Sequence, residues 1–102
     1  MSFNATLTTA GRTAMITLHG ALDKDSDQEF REKVERAATL DVSELVLDMS
    51  ALQQLSAAGI RAIAYARQQM PDDVQVVIAS PVEQVRRTLL AADFGDSMVI
   101  RE

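Results

Sequence analysis

The chain has no cysteine, so disulfides, thiolate metal sites and thiol nucleophiles are excluded, and the composition suits a reducing compartment. It has a single histidine, His19, without the His-x-x-His or His-Glu-x-x-His spacing of a metal site or a partner for acid/base chemistry. Basic residues are outnumbered, ten against fifteen acidic, for a formal net charge of −5. The resulting field repels phosphate backbones and anionic headgroups and weighs against nucleic acid as the primary partner. No apolar run approaches the roughly 20 residues a membrane-spanning helix needs. Met1–Asn4 shows neither the basic start nor the apolar core of a secretory signal. A cytoplasmic location without membrane insertion is the expectation. No nucleophile elbow, phosphate-cradling glycine loop or dinucleotide fingerprint occurs, so neither an enzyme nor a cofactor is expected. Internal repeats, linkers and low-complexity segments are also lacking.

What is present is a chain of 102 residues, 47% hydrophobic and 25% charged, the composition of an ordinary globular domain. The length fits one domain over residues 1–102 with a core of its own. Phe3, Ala5 and Leu7 alternate with polar residues, as do Ala14, Ile16 and Leu18, and Ala10-Gly11-Arg12 between them offers a turn. This pattern predicts a β-hairpin with one apolar face. Ser26-Asp27-Gln28-Glu29 reads as a capping box, and Phe30, Val34, Ala37 and Ala38 form the apolar stripe of the helix it opens. Leu45-Val46-Leu47 predicts a short central strand buried on both faces, ending in a turn at Asp48-Met49-Ser50. A second helix is predicted over Ala57–Met70, with Ala58, Ile60, Ile63, Ala64 and Arg67 marking its periodicity and Pro71 its end. Val74 and Val76–Ile78 predict a further buried strand. In Ser80-Pro81-Val82-Glu83 a serine cap, a first-turn proline and a glutamate three residues after the cap predict a third helix, with Val82, Val85, Leu89 and Ala92 inward. Met98-Val99-Ile100 reads as a final edge strand. The fold class is therefore α/β, a mixed sheet of about 4–5 strands with an N-terminal hairpin and three or more helices.

Four segments, in this order and spacing, resemble the STAS family. Leu18–Asp23 is similar to its G-x-L-D segment, Leu45–Ser50 to its central strand, Leu55-Ser56-Ala57-Ala58-Gly59-Ile60-Arg61 to its signature, and Val76–Leu89 to its late strand and helix. The resemblance implies an anti-sigma factor antagonist-like binding protein in a bacterial partner-switching pathway. It implies docking of a serine kinase/anti-sigma factor of the histidine-kinase-like ATPase type, with a phosphatase as a further partner. The partner-binding residues it implies are Asp23, Ser56, Ala57, Ala58, Gly59, Ile60 and Arg61. In antagonists of the family the position matching Ala57 is the serine that accepts phosphate, and alanine cannot be phosphorylated. Three readings stay open: the protein lacks the switch, Ser56 substitutes, or alanine stands where a native serine was replaced. Two other functions also stay open, an accessory subunit of a transporter ATPase and a structural oligomer built through the sheet edge.

The physics of such a switch does not depend on the family. A helix start presents free N–H groups and a positive dipole end, and a phosphoserine there adds about −1.5 to −2 charge that a docked partner must desolvate. Each candidate also has a plain role. Ser56 is a natural helix cap, worth roughly 1 kcal/mol. Gly59 suits any close backbone approach, Asp23 and Asp48 suit turns at strand ends, and Arg61 suits a solvated helix face. Asp23, Asp25 and Asp27 imitate the opening of an EF-hand loop. The sixth position is Gln28 instead of Gly and the twelfth is Val34 instead of Glu, which removes calcium from consideration.

Overall fold

Alternation at the N-terminus produces the hairpin. In the computed structural model, which describes residues 2–102, β1 (Phe3–Ala10) pairs antiparallel with β2 (Thr13–Leu22) across a two-residue turn. The chain continues through α1 (Asp27–Ala37), β3 (Glu44–Leu55), α2 (Ala57–Gln69), β4 (Gln75–Ala79), α3 (Glu83–Ala92) and β5 (Val99–Arg101). The sheet has five strands in the order β1-β2-β3-β4-β5, parallel from β2 onward. Strand order equals chain order, so three crossovers of the usual right hand all advance in one direction and place all three helices on one face.

Register and burial agree with that placement. Ala14, Leu45 and Val76 form one transverse row, and Ile16, Leu47 and Ile78 the next. These residues share a single core with Phe30 and Val34 of α1, Ala62, Ile63 and Ala66 of α2, and Val85 and Leu89 of α3. The opposite face carries Thr6, Thr8, Met15, Thr17, Val46 and Val77, none of which belongs to that core. Among the described residues no polar or charged side chain is buried.

The elements stand where periodicity puts them, with corrections in detail. The central strand is longer than the Leu45–Leu47 run, because Asp48 bulges the strand without ending it. Its Oδ1 accepts from the Ser50 N–H at 3.0 Å and the Ser50 hydroxyl at 2.8 Å. The ladder with β2 then slips a residue and resumes, with Met49 and Leu52 buried. The inner stripe of α2 is Gly59, Ala62, Ile63 and Ala66, rotated by about one position from the marked residues.

The capping box at Ser26 does not form. The Ser26 side chain makes no cap bond and its hydroxyl donates to the Ala21 carbonyl at 2.8 Å. Glu29 instead accepts the Ala5 N–H of β1 at 3.0 Å. Ser80 does not cap α3 either: it turns the chain out of β4 with φ 54° and donates its N–H to Arg101. The helix cap is Val82, exposed, as is Ala92, which leaves Val85 and Leu89 as the buried face.

Candidate functional site

Strand β3 delivers the chain to α2 at Ser56, whose extended backbone (φ −92°, ψ 176°) is that of a helix cap. Its Oγ accepts from the Gly59 N–H at 3.3 Å and lies 3.4 Å from the Leu22 carbonyl, to which the Ser56 N–H donates at 3.1 Å. The end of β2 and the start of α2 are thereby fastened together. Gly59 completes the junction. A Cβ there would lie 2.5 Å from the Leu22 carbonyl oxygen and 2.6 Å from Leu55 Cδ1, so only glycine lets the helix seat this closely.

Directly after Leu22 comes Asp23, half-buried, whose Oδ1 accepts from the Asp25 N–H (3.0 Å) and the Ser26 N–H (3.2 Å). This fixes the Asp23–Asp25 turn beside the α2 start. The two segments border an open depression of about 380 Å³, with Asp23, Lys24 and Asp25 on one side and Ser56, Ala57, Ala58 and Arg61 on the other. Residues from two distant parts of the sequence thus meet on one surface. Lys24 and Asp25 join it without having been singled out as partner contacts, and their adjacency to Asp23 was the available signal.

The remaining candidates occupy different layers. Ala57 and Arg61 are exposed, Ala58 and Ile60 half-buried, and Gly59 buried beneath them. Asp48 lies outside this surface, engaged with Ser50. His19 sits exposed on β2, paired in register with Asn4 and Ala51. The first turn of α2 holds no acidic side chain. Gly59 and Ile60 have their N–H groups satisfied by Ser56, while those of Ala57 and Ala58 stand at the orphan positions of a helix start. The depression therefore combines charged side chains of both signs, Asp23, Lys24, Asp25 and Arg61, with the small side chains of Ser56, Ala57 and Ala58.

On the seam between the first two helices, Arg31 stacks over the Tyr65 ring at 4.7 Å from its centroid and pairs with Asp27. The Tyr65 hydroxyl donates to Glu35, and that hydrogen bond, followed by partial desolvation and the Glu35 charge, holds the phenol above its usual range against the opposing pull of Arg31. At the other end of α2 a wider concavity of about 600 Å³ includes Arg67, Asp72, Asp73 and Asp96. Its guanidinium is committed to backbone carbonyls of Val74 (2.9 Å) and Pro71 (2.7 Å), which ties the helix end to the next strand. Among the described residues no group of three or more His, Asp or Glu side chains is arranged to hold a metal ion. No described helix is long and apolar enough to cross a membrane.

The family model of the STAS domain matches residues 4–102, and the chain belongs to that family. Solved structures share the fold. An anti-sigma factor antagonist from Mycobacterium paratuberculosis superposes with a TM-score of 0.89 at 13% identity, over 98% of this chain and 86% of that one. The unphosphorylated anti-sigma factor antagonist SpoIIAA, described elsewhere as a Bacillus cell-fate determinant, gives 0.75 at 18% identity, over 97% and 88%. An RsbS variant from Moorella thermoacetica gives 0.72 at 17%, over 96% and 85%. At these identities the likeness is one of fold. No curated protein sequence matches the chain.

Proposed function

We propose that this STAS domain is an anti-sigma factor antagonist-like binding protein of a partner-switching pathway, without catalysis of its own. It docks a serine kinase/anti-sigma factor of the histidine-kinase-like ATPase type through the Ser56–Arg61 helix start and the Asp23 turn. The observation that carries the reading is the convergence of those two segments on one open depression with Ala57 exposed in it. Solved structures of the same fold carry the name anti-sigma factor antagonist, one unphosphorylated and one phosphorylated, which supports the same reading. With a methyl group where a hydroxyl would be modified, this surface stays in its uncharged form. Ser56 is a poor substitute acceptor, since its hydroxyl already serves the Gly59 N–H and faces the Leu22 carbonyl. A phosphatase then has no substrate at this site.

The test is calorimetric titration against kinase-like ATPases of the same genome, with nucleotide present. The native chain and Ala57→Ser are expected to bind comparably. Ala57→Asp is expected to lose at least ten-fold, because a carboxylate at the contact must be desolvated, at a cost of a few kcal/mol. Equal binding by all three variants would move the interface elsewhere, and no binding by any of them would remove the pathway assignment. The alanine also suits an accessory subunit of a transporter ATPase, which a transporter operon around the gene would favour. Assembly through the sheet edge finds less support, since β5 has only three residues and Glu29 occupies the Ala5 N–H on the β1 edge.

A further inference from the structure

The helices cover one face of the sheet and leave the other bare. On the bare face the register aligns Thr8, Met15, Val46, Val77 and Val99 in one transverse row across all five strands. The adjoining row reads Thr6, Thr17, Asp48, Ala79 and Arg101. The apolar row is symmetric about the line between β3 and β4, with Val46 and Val77 flanking that line and Met15 and Val99 outside them. Val46 and Val77 are each 2% exposed and offer almost no surface of their own, so the accessible apolar surface of the row is that of Val99, 44% exposed, and of half-buried Met15. In the second row the acidic and basic groups stand two strands apart, and among the described residues neither Asp48 nor Arg101 belongs to an ion pair.

We propose that this face pairs with the same face of a second copy, about a two-fold axis running parallel to the strands between β3 and β4. This is independent of the partner-switching reading. The operation brings Met15 over Val99 on either side of the shielded Val46 and Val77, and Glu44 over the amide of Gln75, each contact occurring twice as an isologous interface requires. Arg101 of each copy comes over Thr17, one strand from Asp48 of the other, and Ala79 over Asp48 leaves room for the guanidinium to reach it. Two other axes fail on charge. A two-fold perpendicular to the strands through the second row stacks Asp48 on itself, and one through the apolar row brings Asp48 over Glu44. Two sheets meeting this way pack about 10 Å apart. Four strands at about 4.8 Å spacing and five residues at about 3.3 Å rise give a contact of about 300 Å² in projection. That is small beside the ~800 Å² per partner of a standard interface, so the dimer is weak and forms at high concentration.

Sedimentation equilibrium of the full chain, from low micromolar to millimolar concentration, tests it. The native chain is expected to rise toward twice the monomer mass. Asp48→Lys and Arg101→Asp each put like charges together at both ends of the interface and are expected to weaken association at least ten-fold. An equimolar mixture of those two variants regains opposite charges at both ends and is expected to recover most of the native affinity. Asp48 also holds the β3 bulge, so Val99→Lys, at an exposed strand position, serves as a second disruptive variant that leaves the fold alone. A native chain that stays monomeric throughout, or variants that associate as the native chain does, overturns the proposal. Failure of the mixture to recover affinity overturns this axis.

Discussion

At the scale of single residues, the candidate site rests on two small side chains that do different things. Gly59 makes the junction between β2 and α2 close enough for Ser56 to bridge it, so its contribution is steric. Gly59→Ala is expected to destabilise the domain by about 1–3 kcal/mol, the usual cost of forcing extra atoms into a packed site, measured as a fall in the urea midpoint at unchanged slope. Ala57, one layer above, has no such constraint and is expected to accept serine without loss of stability. Tyr65 is the only tyrosine in the chain, so its ionisation can be followed unambiguously by ultraviolet absorbance. With its hydroxyl donated to Glu35, it is expected to ionise at higher pH than free tyrosine, and Glu35→Gln to bring it back. The sign follows from linkage. A phenol whose folded value is raised contributes stability that is full below its unfolded pKa, near 10, and lost as pH rises through the folded one.

At the scale of elements, the telling case is Glu29. In the sequence, Ser26 and Glu29 have the spacing of a capping box, and the helix does begin at Asp27. The side chains nevertheless leave the helix: Ser26 ties the preceding turn, and Glu29 satisfies an N–H on the outer edge of β1. A local motif competes here with a tertiary acceptor site that only exists once α1 lies against the hairpin. Ser80 is likewise drawn into tertiary pairing, its backbone N–H donating to the Arg101 carbonyl of β5 at a positive φ that is not cap geometry. Strand and helix existence was legible because Ile16, Leu47, Val34 and Leu89 follow simple periods. The extent of β3 was not, because Asp48 and Ser50 read as a turn and act as a bulge. Of the candidate site, Asp23 and Ser56–Arg61 were legible through family resemblance, whereas Lys24 and Asp25 depend on how the turn folds. Glu29→Ala is expected to cost roughly 1.5–3 kcal/mol, as for loss of a hydrogen bond to a charged group, read as a lower melting temperature. It also uncovers an unpaired strand edge, so light scattering on standing is expected to rise. Glu29→Gln keeps an acceptor and recovers most of both.

At the scale of the whole molecule, the two proposed surfaces share no residues. The depression at the α2 start lies where the loops join the helices to the strands, and the apolar row lies on the uncovered back of the sheet. A dimer built through the back leaves both depressions open to partners. Ala57→Asp is accordingly expected to leave self-association unchanged in sedimentation experiments, and Arg101→Asp to leave calorimetric partner affinity unchanged. If either variant moved both readouts, the two surfaces would be coupled through the sheet.

Each strand in this sheet pairs only with its neighbours in the chain. For a molecule leaving the ribosome, this means that no strand must wait for a distant segment to be synthesised. The hairpin closes first, α1 and β3 settle on its free side, and every later unit adds to the growing edge through one helical crossover. Partners such as Ala14 and Leu45, or Leu45 and Val76, lie 31 residues apart, a separation whose closure entropy grows only slowly with length. The uncovered side grows with the sheet, strand by strand, and is whole only when Val99 and Arg101 arrive, so any pairing of two copies is postponed until each has finished folding.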